Sequence, residues 1–353
     1  MKGNPLPGIP VVESPFYEQL ASTWDPETRR IGDALRQDGF AVFDFPEPAL
    51  DRLIDEIRSD LNPQYDWAGW RAVGWKNRIG LRIQDAWTFN AAVRSIAANA
   101  QVLALLSHLY GREAFPFQTL NFPVGTQQAT HSDSAHFSSV PERFMCGVWL
   151  AFEDIDEDNG GLVYYPGTHK LPIYTNEHID ACSATNEHPT AHYGDMVALW
   201  QALIDTHGFQ AQTFRARKGQ ALIWAANLLH GGGAHLNPGR TRWSQVTHYY
   251  FKDCAYYTPL ESDPFFGSIH YRTPVDIATG DAILSTYGGR PIPPDTISHG
   301  LENMRKHAPQ PLPLPEGFDS AAYLAANPDV AAAGVDAAEH WRSYGHKENR
   351  PLA

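Results

Sequence analysis

His131 and Asp133 have the residue types and the spacing of half a metal site. Residues i and i+2 of a β-strand point to the same face, so a strand over 127–133 would present an imidazole and a carboxylate together. With a second histidine, these groups form the facial triad that suits non-haem Fe(II) and leaves coordination positions open. We therefore predict an iron site whose third ligand comes from elsewhere in the chain.

A second His-x-Asp pair, His178 and Asp180, has the same spacing and competes for this role. It lies in the polar stretch 174–192, which has no regular hydrophobic pattern. His131 instead follows a Pro-Gly turn between two stretches of strong β character. The sequence therefore favours the pair at His131 and Asp133.

His230 is the best candidate for the second histidine. It ends an apolar strand and precedes three glycines, which permit close approach of a ligand or of neighbouring backbone. A barrel fold would bring such a strand across to His131. His207, His235 and His248 are the competing candidates.

An iron site that activates O2 needs electrons from a co-substrate, and a dicarboxylate such as 2-oxoglutarate needs a cation for its distal carboxylate. Arg242 and Ser244 would share one face of the last long strand and could bind that group through a guanidinium and a hydroxyl. Arg240 is the near alternative, although it follows Gly239 and has the character of a loop residue.

The composition indicates a turn-rich β protein, since 28 glycines and 27 prolines accompany 12% aromatic residues among 353. A net charge of −13 argues against a nucleic-acid partner. No segment approaches the ~18–20 apolar residues of a membrane span. Three cysteines without CxxC spacing, and no apolar run after the first residues, lead us to expect a cytoplasmic protein.

Hydrophobic periodicity predicts many short strands preceded by helices, which is typical of a β-sandwich or jelly roll with a helical flank. We expect helices over 26–36, 47–61, 90–110 and 195–206, and strands over 39–45, 115–122, 144–152, 162–165, 209–215, 220–225 and 243–251. The predicted organisation is an irregular N-terminal arm (1–25), a jelly-roll domain (26–290), a Pro-rich linker (291–316) and a small helical C-terminal module (317–353).

Several motifs occur in a fixed order between residues 30 and 255. They are His131-Ser132-Asp133, Trp149 to Asp154, Asn159-Gly160-Gly161-Leu162, Pro166 to Lys170, His230 to Gly233, Arg242 and His248-Tyr249. Together they resemble the phytanoyl-CoA dioxygenase family of Fe(II)- and 2-oxoglutarate-dependent oxygenases. The ordered set is far more specific than any single motif.

The resemblance implies a double-stranded β-helix (a jelly roll, cupin-like) in which His131, Asp133 and His230 bind the iron. Arg242, with Ser244, would hold the distal carboxylate of 2-oxoglutarate. Gln118 would lie near that co-substrate, and Trp149 would line its pocket. The implied reaction uses O2, hydroxylates a small-molecule substrate and releases succinate and CO2.

Two departures from the family pattern bear on these expectations. The segment between His230 and Arg242 is about one residue longer than usual, which keeps Arg240 open as the anchor. Gly232 stands where a serine is frequent, so one hydrogen bond to the co-substrate would be missing or moved to Ser244. Related iron halogenases have a small residue in place of Asp133, so the carboxylate here favours hydroxylation.

Different classes of function are compatible with parts of the pattern. A cupin-like metal-binding or ligand-binding protein without turnover would not need Arg242, and a hydrolytic zinc enzyme would want three neutral ligands or a nearby general base. The substrate pocket could include residues of the stretch 67–87 together with His136 and Phe137. The candidates in that stretch are Arg71, Trp75, Lys76, Arg78 and Arg82.

The C-terminal stretch from Tyr323 to Arg350 resembles a short helical module that is appended to diverse proteins. Its core would contain Tyr323, Val330, Val335 and Tyr344, among others. We expect it to serve as a docking unit for another protein or to pack on the main domain.

Overall fold

The computed structural model describes residues 4–72, 82–182, 192–237, 239–297 and 312–353. Trp75, Lys76 and Arg78 lie outside the described residues, as does 298–311 of the predicted linker. No helix within the described ranges is both long enough and apolar enough to cross a membrane.

In the part of the chain that the structure describes, seven helices precede or interrupt the sheets. They are α1 (Tyr17–Leu20), α2 (Pro26–Asp38), α3 (Leu50–Leu61), α4 (Trp67–Ala72), α5 (Ala91–Ala97), α6 (Ala100–Tyr110) and α7 (Tyr193–His207). The α2 helix begins where the Asp25 carboxylate accepts two backbone N–H groups, and it ends at Gly39 with φ 84°. The helices predicted at 26–36, 47–61 and 195–206 are thereby confirmed to within a few residues.

The single helix predicted over 90–110 is wrong, because Asn99 divides it. The Asn99 side chain accepts the backbone N–H groups of Gln101 and Val102 and so starts α6 anew. An N-terminal cap satisfies backbone donors that a continuous helix would bond to the preceding turn.

The strands form one large antiparallel sheet and several small ones. They are β1 (Phe40–Asp44), β2 (Ile83–Gln84), β3 (Ala114–Phe122), β4 (Ser138–Val140), β5 (Met145–Ala151), β6 (Leu162–Tyr164), β7 (Gln212–Thr213), β8 (Gln220–Ala225), β9 (His230–Gly232), β10 (Ser244–Phe251), β11 (Ala255–Tyr257), β12 (Thr286–Tyr287) and β13 (Arg290–Pro291). The large sheet has the order β1-β8-β5-β10-β3-β2, and β7-β6-β9 forms a sheet of three. The strand predicted over 209–215 shrinks to two residues.

The strands β3, β5 and β10 are buried on both faces. One face of the large sheet packs against the helices through residues such as Val148, Ile223 and Phe251. The other face packs against the three-stranded sheet, where Trp149 and Leu222 join Tyr164 in one cluster. The architecture is therefore antiparallel sheets flanked by helices, and the helices contain more residues than the strands.

The N-terminal arm is more ordered than the irregular segment expected over 1–25. Short helical turns occupy Val11–Glu13, Tyr17–Leu20 and Ala21–Thr23. Tyr17 is fully buried, and its hydroxyl donates to Asp33 on α2 at 2.8 Å. Burial of Tyr17, together with the hydrogen bonds from Arg36 to the Val12 and Ser14 carbonyls, docks this arm on α2.

The C-terminal region contains three short helices, Ser320–Ala326, Pro328–Ala333 and Ala337–His340, followed by a π-turn over Trp341–Gly345. Tyr323, Val330 and Ala337 form a hydrophobic cluster of their own. Val335 and Tyr344, expected in that core, are instead exposed.

Candidate metal centre

His131 and His230 lie side by side because their backbones pair. The His131 N–H donates to the His230 carbonyl at 2.9 Å, and the His230 N–H donates to the His131 carbonyl at 3.0 Å. His230 begins β9, so a short antiparallel bridge holds two residues that are distant in sequence.

Asp133 does not continue a strand from His131, contrary to the i, i+2 prediction. It begins a 3-10 turn, Asp133–Ala135, and the Ser132 hydroxyl accepts the N–H of Ser134 at this point. The turn nevertheless directs the carboxylate toward the two imidazoles. The predicted grouping is present, although the geometry that produces it differs.

The three side chains offer one ligand atom each within 4.8 Å of one another, and all three are buried. His131 Nε2 lies 3.6 Å from Asp133 Oδ1, and His230 Nε2 lies 3.8 Å from Asp133 Oδ2. These distances exceed an ordinary hydrogen bond. They leave a small space between two nitrogens and a carboxylate.

The backbone carbonyls decide which nitrogen of each histidine faces that space. Nδ1 of His131 lies 2.9 Å from the carbonyl of Ala129, and Nδ1 of His230 lies 2.9 Å from the carbonyl of Leu228. Because a carbonyl only accepts, Nδ1 carries the proton and Nε2 presents a lone pair. Lone pairs facing a carboxylate repel it, and a cation between them removes the repulsion. The donor set therefore fits a divalent metal.

Trp224 fixes the orientation of the carboxylate. Its indole N–H donates to Asp133 Oδ2 at 2.8 Å in a buried position. The indole lies over Gly147 of the neighbouring strand, where an added Cβ would be 2.1 Å from the Trp224 ring. Gly147 is thus required for the contact that holds Asp133.

The protonation states suit metal ligation. Burial alone would raise the pKa of Asp133, but His230, His131 and His248 around it lower that pKa well below its usual value. Burial lowers the pKa of His230 to about 4. At neutral pH the site therefore contains a carboxylate and neutral imidazole.

His248, a competing candidate for the second histidine, reaches the same carboxylate. Its Nε2 lies 3.7 Å from Asp133 Oδ2, and its Nδ1 lies 2.9 Å from Gln118 Oε1. His235 and His207 make contacts elsewhere: His235 Nε2 lies 3.1 Å from the Arg240 carbonyl, and the His207 ring packs on Phe209.

The second His-x-Asp pair, His178 and Asp180, has a structural role instead. His178 belongs to a capping box with Thr175, and Nδ1 of the exposed histidine lies 3.1 Å from the Thr175 backbone nitrogen. Its imidazole thus completes a helical turn.

Arg242 is a buried cation in the same cavity. It is 4% exposed, and its guanidinium lies over Trp149 at 5.3 Å. Nη1 donates to Ser244 Oγ at 3.2 Å and Nη2 donates to the Val124 carbonyl at 3.3 Å. Burial lowers its pKa to about 10. The group has no ion pair among the described residues, and Nε has no hydrogen-bond partner. A buried charge in this state calls for an anion.

Arg240 has its anion already. Its Nη1 lies 2.7 and 2.8 Å from the two carboxylate oxygens of Asp156, and its side chain is 34% exposed. The geometry favours Arg242 over Arg240 as a ligand-binding group.

Cross-strand pairing aligns these residues on one face of the large sheet. In the register of β10 with β3, His248 pairs with Gln118 and Ser244 pairs with Phe122. Trp149 of β5 pairs with Val246 between them. The metal cluster and Arg242 thus lie toward opposite ends of one cavity of about 480 Å³, which is within the ~300–1,000 Å³ range of small-molecule sites.

The family model for phytanoyl-CoA dioxygenase (PhyH) matches residues 36–243, which is more than half of the chain. The chain belongs to the phytanoyl-CoA dioxygenase family. It is 27% identical over 187 residues to the peroxisomal phytanoyl-CoA dioxygenase of Rattus norvegicus, a match that covers 51% of this chain and 52% of the rat protein. It is also 27% identical over 145 residues to a probable phytanoyl-CoA dioxygenase of Caenorhabditis elegans, covering 40% and 42%. The chain spans about half the length of the curated relatives it matches.

Solved structures that are similar at TM-scores below 0.5 include two proteins of nogalamycin biosynthesis. The non-heme alpha ketoglutarate dependent epimerase SnoN from nogalamycin biosynthesis has a TM-score of 0.47 and 19% identity, covering 77% of this chain and 98% of that one. The alpha ketoglutarate dependent carbocyclase SnoK has a TM-score of 0.49 and 14% identity, covering 67% and 87%.

The glycine at position 232, where the family often has a serine, has a steric reason in this chain. A Cβ at Gly232 would lie 2.7 to 2.8 Å from the backbone of Gln127 and Gln128. The segment before His131 therefore packs directly on β9. Ser244 is the hydroxyl that contacts Arg242 instead.

The residues expected to line the substrate pocket were only partly predicted. Arg82, His136 and Phe137 line it as expected, whereas Arg71 packs near Trp67 with its guanidinium 5.9 Å from the ring. Sequence reasoning missed Tyr193, Trp224 and Arg272, which also line the cavity. Alternation along β8 places Leu222 and Trp224 on one face, but only the strand register shows that this face meets Asp133.

Proposed function

We propose that this chain is an Fe(II)- and 2-oxoglutarate-dependent dioxygenase that hydroxylates a small-molecule substrate with release of succinate and CO2. The observation that carries the proposal is the buried Arg242, which has no ion pair among the described residues, in the cavity that also contains the His131, Asp133 and His230 cluster. A metal site and an anion site in one cavity match the two requirements of this chemistry. Membership of the family supports the same conclusion.

His131, Asp133 and His230 would hold the iron. When bound, Fe(II) supplies the activation of O2 with electrons taken from 2-oxoglutarate, a reaction that protein side chains do not perform. The chain contributes two oriented imidazoles with unprotonated Nε2 atoms. Trp224 holds the carboxylate of Asp133 in place by its hydrogen bond.

Arg242 and Ser244 would bind the distal carboxylate of 2-oxoglutarate. The guanidinium has an unused Nε–H, and Ser244 Oγ lies beside Nη1. A planar guanidinium forms paired hydrogen bonds with a carboxylate. Trp149 forms the wall beneath the guanidinium, and Gln118 positions His248 at the metal end.

The sequence also left a second hypothesis open, a cupin-like metal-binding or ligand-binding protein without turnover. Such a protein has no need of a buried cation at the far end of its metal cavity. Burying an arginine without a counter-ion destabilises the fold, so its presence is best explained by an anionic co-substrate.

The fold and domain assignments complete the proposal. The six-stranded and three-stranded sheets would be the two halves of a jelly roll within a 26–290 domain, preceded by the arm 1–25. Residues 291–316 would be a linker, and 317–353 a separate helical module that docks a protein partner. The separate cluster around Tyr323 supports an independent module.

The test is succinate formation from 2-oxoglutarate in air, with Fe(II) and ascorbate, by the full chain. We expect slow substrate-independent turnover in the wild type and a loss to background in Asp133→Asn, which keeps the side-chain size but removes the charge. The matched control is His178→Ala, which alters the second His-x-Asp pair and should leave turnover unchanged. Equal succinate formation by the wild type and Asp133→Asn would contradict the proposal.

A further inference from the structure

A second cation, Arg272, lines the cavity on the side of the metal cluster. It follows β11, beyond residue 243 where the family match ends. Its backbone N–H donates to the Tyr256 carbonyl at 2.8 Å, which fixes the segment against β11. Arg272 is thus a feature of this chain outside the matched region.

The guanidinium of Arg272 is held in place by neighbouring side chains, and His270 together with the more weakly acting Arg272 lowers the pKa of the Glu261 carboxyl. Nη1 donates to Thr258 Oγ1 at 3.3 Å, and Cζ lies 4.7 Å from the centre of the Phe137 ring. It has no ion pair among the residues that the structure describes. The nearby carboxylate of Glu261 is paired with His270, whose Nδ1 is 2.8 Å away. The remaining guanidinium N–H groups are therefore available to a ligand.

Further polar groups surround the same part of the cavity. The Tyr193 hydroxyl is buried and lies near the Gln128 side chain. The rings of His136 and Tyr193 lie 5.3 Å apart. Buried polar groups that line a cavity need a hydrogen-bond partner, which water or a polar ligand supplies.

Phe137 places this cation close to the proposed reaction centre. One side of its ring meets the Arg272 guanidinium, and the ring lies 5.2 Å from that of His248, which contacts the Asp133 carboxylate. The contacts that lead from Arg272 to the Asp133 carboxylate thus pass through the rings of Phe137 and His248. A substrate bound at Arg272 would extend along these rings toward the metal cluster.

We propose that Arg272 binds an oxyanion of the substrate, with an apolar part of that molecule against Phe137. The inference deepens the proposed function and rests on it, because it names the chemical class of the substrate of that site. A planar, permanently charged guanidinium suits a carboxylate or a phosphate ester, and its stacking on Phe137 restricts its orientation.

The experiment measures binding of phenylacetate, phenyl phosphate and the neutral phenylacetamide to the metal-free full chain by titration calorimetry. We expect at least one of the two oxyanions to bind, and the amide to bind about tenfold or more weakly. Arg272→Gln should weaken oxyanion binding about ten- to hundredfold, as expected for loss of a charge-assisted hydrogen bond. Arg272→Lys, which retains the charge, should lie between.

Two control variants define the site. Arg240→Gln should bind the oxyanion as the wild type does, because the Arg240 guanidinium is already paired with Asp156. Arg290→Gln removes an exposed arginine of β13 and should also have no effect. Since iron and 2-oxoglutarate are absent, the result stands whether or not the chain forms succinate.

The proposal is overturned if neither oxyanion binds the wild type, or if the amide binds as tightly as the acid. It is also overturned if Arg272→Gln and Arg272→Lys bind like the wild type. Loss of binding in Arg242→Gln alone would assign the oxyanion to the co-substrate end instead.

Discussion

The hydrogen bonds at Nδ1 of His131 and His230 determine what the site can hold. Each Nδ1–H is committed to a backbone carbonyl, so each Nε2 must act as a donor of electrons toward Asp133. A proton on Nε2 would require Nδ1 to give up its hydrogen bond to the carbonyl, or it would occupy the space between Nε2 and Asp133 that fits a metal. In metal-binding histidines the nitrogen that does not bind the metal commonly donates a hydrogen bond that fixes the tautomer and the ring orientation.

Arg242→Gln should weaken 2-oxoglutarate binding about 100-fold while leaving Fe(II) affinity within about twofold of the wild type. The expected loss corresponds to removing one partner of a buried charge pair, ~3 kcal/mol or more. Titration of each variant with Fe(II), and then with 2-oxoglutarate, in the absence of oxygen separates the two affinities.

Arg240→Gln is the matched control for this change. Arg240 is paired with Asp156 near the surface, where an ion pair contributes ~0–1 kcal/mol, so 2-oxoglutarate affinity should be unchanged. A larger loss from Arg240→Gln than from Arg242→Gln would reverse the assignment of the anchor.

Residue types and spacing predicted the grouping of His131, Asp133 and His230, which the structure places together. The role of Arg242 as the carboxylate anchor stays a prediction. Residue types and spacing were insufficient to place Asp133 on a 3-10 turn, since this depends on a hydrogen bond made by Ser132. They also left His248 as one of several candidate ligands. Its position beside Asp133 follows from the pairing of β10 with β3, which local sequence does not contain.

At the scale of elements, the contact between β5 and β8 is what holds the carboxylate. Gly147 pairs with Trp224 across the two strands, and only a residue without a side chain leaves space for the indole. The tryptophan can then donate to Asp133. A packing detail of the sheet therefore acts on the metal site.

Gly147→Ala should destabilise the fold by about 1–3 kcal/mol, the usual cost of overpacking a core, and should weaken Fe(II) binding about 10- to 100-fold. The reason is that the new Cβ must displace Trp224 from Asp133. Urea unfolding and an Fe(II) titration measure the two effects.

The control for this substitution is Gly194→Ala. Gly194 is a position of α7 with nothing within 4 Å of the added Cβ, and alanine favours a helix by ~1 kcal/mol over glycine. Stability should be unchanged or increased. Unaltered Fe(II) affinity in Gly147→Ala would show that Trp224 does not position the carboxylate.

Helices were predictable where caps and periodicity agree, as at Asp25 and Gly39 of α2. The break at Asn99 was missed because hydrophobic spacing continues through it, although asparagine is a strong N-cap residue. The prediction of short strands such as β7 failed for a different reason. Strands of two or three residues are defined by their partners and not by their own composition.

At the scale of the whole molecule, several histidines are buried in neutral form. Burial lowers the pKa of His169 to about 4, and His136, His230 and His248 behave similarly. His169 Nδ1 is buried without a hydrogen-bond partner in the described structure, so a proton there would have no acceptor.

The metal-free chain should therefore lose stability as the pH falls from about 6.5 toward 4. In this pH window the histidines bind protons in the unfolded chain but not in the folded chain. The free energy of unfolding therefore decreases as the pH falls. For His169 alone the decrease between pH 7 and 5 is on the order of 2 kcal/mol. Urea unfolding at the two pH values should show a smaller difference in His169→Gln than in the wild type.

His207→Gln, which changes an exposed histidine at the end of α7, should keep the full difference. A pH dependence in His169→Gln equal to that of the wild type would show that this histidine is not held neutral by the fold.

The central claim is that one cavity binds Fe(II) through His131, Asp133 and His230 and binds 2-oxoglutarate beside it. The most direct measurement is the visible absorption of the full chain after anaerobic addition of Fe(II) and then 2-oxoglutarate. We predict a metal-to-ligand charge-transfer band that requires both additions and is absent from His131→Ala and His230→Ala. No band in the wild type, or a band that persists in both variants, would contradict the assignment of the metal centre.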